Sequence, residues 1–174
     1  MIHSGGKLLL LVLLPLIILR RSPRPRPKAG PALGASAAVI AWAATFAALE
    51  WSSWQATPAA VSTLLDLITV LVIVFVINAV IEEVFYRRWL QTHIETWLGP
   101  WPAIALSTLL WASWHMGIQG VGRPDLDLAA VVLSHAATGV FLGLLWHRYQ
   151  RMWPLLAVHG ALNAAPVLVT YAAL

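Results

Sequence analysis

Apolar positions run through this chain in long stretches, broken by short segments where arginine, proline, glycine and tryptophan collect. The runs are Leu8 to Leu19, Ala32 to Leu49, Ala59 to Ile81, Pro102 to His115, Leu128 to Trp146 and Trp153 to Tyr171. Several approach the roughly 20 apolar residues that a helix needs to cross a bilayer. No strand-like alternation interrupts them. The pattern predicts an all-α protein, a polytopic transmembrane bundle of about six helices. Residues 1–31 are expected to form an N-terminal anchor and linker, and 32–174 the main domain.

The breaks between runs set the expected topology. Leu8 to Leu19 is followed, not preceded, by dense positive charge at Arg20, Arg21, Arg24, Arg26 and Lys28, so it reads as an uncleaved first span or half-span. The proline-spaced linker from Arg20 to Pro31 is expected to be extended and cytoplasmic. Glu50, Trp51, Trp54 and Pro58 mark an interface with aromatic anchors. Arginines at 20–28, 87–88 and 148–151 then fall on the inner side, with the N-terminus outside and only Arg123 in disagreement. Gln91 to Gly99 reads as a short amphipathic connector, Pro102 as the start of the next helix, and Gly117 to Asp127 as an outer loop.

Composition agrees with a membrane setting: 60% of the 174 residues are hydrophobic and only 10% are charged. There is no cysteine, which excludes disulfides, thiolate metal sites and a cysteine nucleophile. The net charge of +4 is gathered at the breaks between runs, a pattern that suits anionic lipid and topology rather than nucleic acid.

Against that background a few polar side chains stand out. Glu82 and Glu83 close an apolar run, and Arg87 follows Glu83 by one helical turn in the favourable acid-first order. Glu82 points about 100° away from that pair and is expected to face a cavity. Asn78 lies one turn before Glu82, and Tyr86 shares the stretch. Trp111 and His115 share one helix face, as do His159 and Asn163. Polar groups in hydrocarbon must find partners or cost several kcal/mol each, so convergence on one another and on water is the simplest solution. A carboxylate in an apolar site is a stronger base than one in water, and an amide donor suits an oxyanion. Glu82 could then deprotonate a water held by His115, with Asn163 and His159 at the oxyanion.

Glu82-Glu83-x-x-x-Arg87, then aromatic-x-x-x-His115, then His159-x-x-x-Asn163, in order on successive helices, resembles the CPBP family of CAAX-protease and bacteriocin-processing (ABI) intramembrane proteases. The likeness covers about Asn78 to Ala165. It implies a glutamate-type intramembrane endopeptidase in which Glu82 and His115 activate water, His159 and Asn163 form the oxyanion site, and Glu83 and Arg87 complete the first motif. Trp111, Asn78 and Tyr86 would line the substrate channel. No metal or other cofactor is required. The implied partners are a bilayer, the bacterial cytoplasmic membrane, and a membrane-anchored protein or peptide. The small size resembles stand-alone members that cleave C-terminal sorting signals, the myxosortase and JDVT-type group. Trp111 stands where the family usually has Phe, and Arg88 where a small residue is common.

Plainer readings compete. An ion-paired helix end explains Glu83 and Arg87 but needs only one acid. His159 and Asn163 could be interhelical hydrogen bonds. A zinc-like triad of Glu82, His115 and His159 would make a metal-dependent hydrolase, although the two-His single-helix signature is missing. A non-enzymatic immunity or interaction protein, or a proton-coupled carrier, could use the same charges; a carrier would be expected to show an internal repeat, and none is visible. His135 and Asp66 lie in mid-run and match no motif: His135 is expected to pair with a neighbouring helix, Asp66 to sit nearer the outer interface. Counted from a helix beginning at Pro102, His115 lies deep, and the Gln91 to Pro100 connector is expected to lift it to the level of the glutamates.

Overall fold

The computed structural model describes residues 32–56, 61–119 and 122–173. All the regular structure there is helical: α1 (Ala32–Ala56), α2 (Leu64–Leu98), α3 (Pro100–Gln119), α4 (124–149) and α5 (Met152–Ala172). The expected Leu8 to Leu19 span, the Arg20 to Pro31 linker, Pro58 and the side chain of Trp54 lie outside the described residues. Among the described residues three helices are long and apolar enough to cross a membrane: Ala32–Ser52, Leu64–Leu98 and Met152–Ala172. Ser107, Thr108 and His115 lie on α3, and His135 on α4.

Two compact bodies emerge, one holding residues 83–150 and the other 32–82 with 151–173. In the second, α5 packs against α1 and the first half of α2. Thr63 caps α2: its hydroxyl accepts from the Asp66 backbone N–H at 3.1 Å and donates to the Asp66 carboxylate at 2.6 Å. Asp66 is therefore a first-turn acid, stabilised by the orphan N–H groups and the helix dipole, and not a mid-span charge. Beyond Val72 the helix widens into a π-helical stretch, Ile73–Val80, and after Glu83 into another, Val84–Gln91. The wider turns lie on either side of Ile81–Glu83; such bulges recur at functional sites because they loosen the backbone ladder.

In the first body the sequence expectation fails at the connector. Gln91 to Leu98 is not a separate segment but the last turns of α2, which continues past Arg87 and Arg88 and stops only at Gly99. Gly99 has φ +82°, a left-handed geometry that favours glycine, and Pro100, not Pro102, starts α3. Arg87 and Arg88 are thus mid-helix rather than in a loop. Helix α3 continues to Gln119, past the expected end at His115. The outer loop also shortens, because Asp127 accepts from the backbone N–H groups of Gly122 and Arg123, each at 3.1 Å, and residues 124–127 are already helical. Arg123, the dissenting charge, pairs with Asp125 at an exposed position.

Three helices make the core of this body, and two glycines set their spacing. A methyl group at Gly139 would lie 2.6 Å from Thr108 Cγ2, and one at Gly143 would lie 3.0 Å from Ile104 Cγ2. Helix α4 therefore meets α3 along a small-residue face, as membrane helices do when backbones must approach closely. At each glycine the carbonyl accepts from α2: Arg87 Nη2 donates to Gly139 O at 3.4 Å, and Gln91 Nε2 to Gly143 O at 2.9 Å. Ser107 donates to Gln91 Oε1 at 3.4 Å. One level nearer the Gly99 turn, Trp146 Nε1 donates to Thr92 Oγ1 at 2.9 Å and His147 meets Glu95 at 2.5 Å.

Candidate active site

In the body holding residues 32–82 and 151–173, Glu82 and His159 are brought together. Glu82 is fully buried, His159 is 2% exposed, and Glu82 Oε2 lies 3.9 Å from His159 Nε2. That separation exceeds a direct hydrogen bond, but one water can sit about 2.8 Å from both atoms at the apex of a triangle. The helices close here because residue 160 is glycine: a methyl group there would lie 2.8 Å from the Phe75 ring. One turn further along α5, Asn163 Nδ2 donates to the Val74 carbonyl at 3.3 Å, within the π-helical stretch where the backbone ladder is loosened. Part of the Asn163 amide is thus engaged as an interhelical tie. Asn78 belongs to the same stretch, and its own carbonyl accepts from the Ile81 N–H.

In the body holding residues 83–150, Glu83 and Arg87 are both fully buried and meet at 3.7 Å. The Arg87 guanidinium also lies over the Trp111 ring, 5.4 Å from its centroid, where the ring's negative face attracts a cation. Trp111, 2% exposed, meets the His115 ring edge to face at 4.8 Å. His115 Nδ1 bonds the Trp111 carbonyl at 2.9 Å. A carbonyl only accepts, so Nδ1 donates and the lone pair of the neutral ring sits on Nε2. Tyr86 is buried with its ring edge-on to Phe85 at 4.8 Å.

Helix continuity sets the level of His115 relative to Glu83. Glu83 lies 15 residues before Leu98, and His115 lies 15 residues after Pro100, on two helices that reverse at Gly99 (98 − 83 and 115 − 100). Equal counts from a tight reversal put both residues at comparable levels, on the order of 20 Å from the turn, the π-helical turns shortening the α2 arm slightly. The lift comes from the stretch expected to supply it, residues 91–98, as turns of α2 rather than as a separate amphipathic connector.

Sequence reasoning gave no role to Gln91, Gly139 or Gly143, and left His135 without a motif. The signal for the glycines was present, because Gly139-x-x-x-Gly143 is a small-residue repeat in an apolar run. His135 lies one turn before Gly139, stacked on His115 with ring centroids 4.3 Å apart, so it does pair with a neighbouring helix. Among the described residues no three His, Cys, Asp or Glu side chains are grouped as a metal site would require.

Apolar helices of spanning length, with ionisable side chains wholly withdrawn from the surface, define an integral membrane protein with a polar interior. Residues 64–165 match the family described as type II CAAX prenyl endopeptidase Rce1-like, and the chain belongs to that family. It is therefore a CAAX-type intramembrane endopeptidase, acting in a bilayer on a protein substrate. No curated protein and no solved structure matches the chain.

Proposed function

We propose that this protein cleaves the C-terminal segment of a membrane-anchored protein in the bacterial cytoplasmic membrane, using water activated by Glu82. The observation that carries the proposal is the wholly buried Glu82 carboxylate, 3.9 Å from the His159 imidazole, in a stretch flanked by π-helical turns. A base of this kind removes a proton as the water oxygen attacks the scissile carbonyl, then returns it to the amine as the C–N bond breaks. His115, whose Nε2 carries the lone pair, takes the role of the first histidine of the family pattern and holds the nucleophilic water. His159 and Asn163 take the oxyanion role. Glu83 and Arg87 form an internal pair that anchors α2 to the rest of the body holding residues 83–150. A C-terminal processing or sorting signal is the substrate class proposed for this reaction.

The test compares the N- and C-termini of membrane proteins by mass spectrometry in cells carrying the wild-type protein or Glu82→Gln. A terminus formed only with the wild type supports the proposal and identifies the substrate. Full processing by Glu82→Gln, present at wild-type level, would exclude Glu82 as the base.

A further inference from the structure

The first histidine of the motif set does not stand alone. Its ring lies against that of His135 from α4, with centroids 4.3 Å apart and planes at 30°. Trp111 presents its ring at a steep angle to both, at 4.8 Å and 68° to His115 and at 5.4 Å and 64° to His135. The three rings form a corner, and the Arg87 guanidinium lies over Trp111.

We propose that His135 is a positioning residue: its ring face, closing this corner, holds the His115 imidazole in the orientation that keeps Nδ1 on the Trp111 carbonyl and leaves Nε2 to act. The proposal rests on the role given to His115 above. A histidine ring can turn about its Cβ–Cγ bond, and a half-turn exchanges Nδ1 with a carbon. The hydrogen bond at 2.9 Å holds one edge of the ring, and a bond along one edge does not by itself set the plane. His135 on one face and Trp111 at a steep angle confine that plane. The placement of His135 follows from the close approach one turn further on, where Gly139 brings α4 against Thr108 and Trp111. At Gly139 no side chain fits between the helices. One turn earlier they are spaced so that an imidazole from each side lies face to face. Misplacing a reacting group by about 1 Å can cost about a hundredfold in rate, so orientation at this point has kinetic weight.

A tautomer measurement tests this without requiring the substrate. The full chain, labelled with 15N-histidine, is placed in lipid nanodiscs at about pH 8, where an ordinary imidazole is neutral. His115 is assigned by the resonance lost in His115→Ala. His93 is an internal standard, because its Nδ1 also meets a carbonyl one turn back, that of Trp89, at 2.7 Å. The wild type is expected to show His115 protonated on Nδ1. His135→Ala should shift its tautomer ratio by about tenfold, the scale of one lost aromatic contact, and leave His93 unchanged. His135→Phe, which keeps a ring face, should restore the wild-type pattern. A His115 signal unchanged by His135→Ala overturns the proposal, even if that variant unfolds at a lower temperature. It is equally overturned if His135→Phe behaves like His135→Ala, because the imidazole nitrogens rather than the ring face would then be responsible. Processing by His115→Ala at the wild-type rate would sink the role of His115 in catalysis and leave the tautomer result intact.

Discussion

Gly139→Ala tests the account of how α3 and α4 approach. The added methyl carbon would lie 2.6 Å from Thr108 Cγ2, 3.2 Å from Trp111 Cε3 and 3.3 Å from Thr108 Cβ. Carbon atoms rest at about 3.5–4.0 Å, so the first contact overlaps by about 1 Å and both helices must give. The opposing atom is a methyl on a threonine inside a helix, which has two rotamers open to it, and in either one Thr108 Cβ stays 3.3 Å from the added methyl unless the backbone shifts. Overpacking of this kind costs about 1–3 kcal/mol, and about 2 kcal/mol is expected here. Thr108→Ser deletes the clashing Cγ2 and keeps the hydroxyl, so the double variant should recover about 1 kcal/mol, the remainder being the Trp111 and Cβ contacts. The assay is equilibrium unfolding of the wild type, both single variants and the double variant in one detergent system, read as a double-mutant cycle. Additive effects, with coupling below about 0.3 kcal/mol, would refute the claim that these two helices are spaced by the missing side chain at 139.

Four further outcomes are expected. Gly160→Ala should lower both stability and cleavage, by about 1–3 kcal/mol for the former, because the Phe75 ring must move from the α2–α5 contact beside His159; an unaltered unfolding curve would contradict this. Gln91→Leu should cost about 1–3 kcal/mol by leaving the Gly143 carbonyl without its donor, measured by the same unfolding assay. Arg87→Ala should be the most damaging change, about 3–5 kcal/mol, since it leaves a buried Glu83 carboxylate; Arg87→Lys should be only a partial substitute, as a single ammonium cannot serve Glu83, the Gly139 carbonyl and the Trp111 face together. Treatment with a strong chelator should leave cleavage of the identified substrate unchanged, whereas loss reversed by added zinc would favour the metal-dependent reading.

Much of this protein was legible before any coordinates. Periodic apolar runs of spanning length predict helices, and α1, α4 and α5 lie close to where those runs fall. The motif residues were legible for a different reason: charge and imidazole in hydrocarbon are costly enough that each one marks a constraint. Helix ends were less legible. Arg87 and Arg88 look like a membrane border by the distribution of positive charge, yet α2 continues to Leu98, with Arg87 buried beside Glu83, a carbonyl and an indole face. Asp66 looked like a mid-run charge because hydropathy does not register an N-cap, and Thr63 is what makes it a first-turn residue.

Taken alone, the order of residues determined that the chain is helical, that it belongs in a bilayer, and which side chains are candidates for its chemistry, since these depend on local pattern and on the cost of burying charge. It did not determine partners across helices. That the Glu82 carboxylate faces the His159 imidazole was decided by how the helices pack, whereas Glu83 and Arg87 pair within one helix. Only packing gave His135 a neighbour, because face-to-face contact with His115 depends on the spacing that Gly139 permits between α3 and α4. That spacing is set by the absence of a side chain, and its consequence appears only where two helices meet.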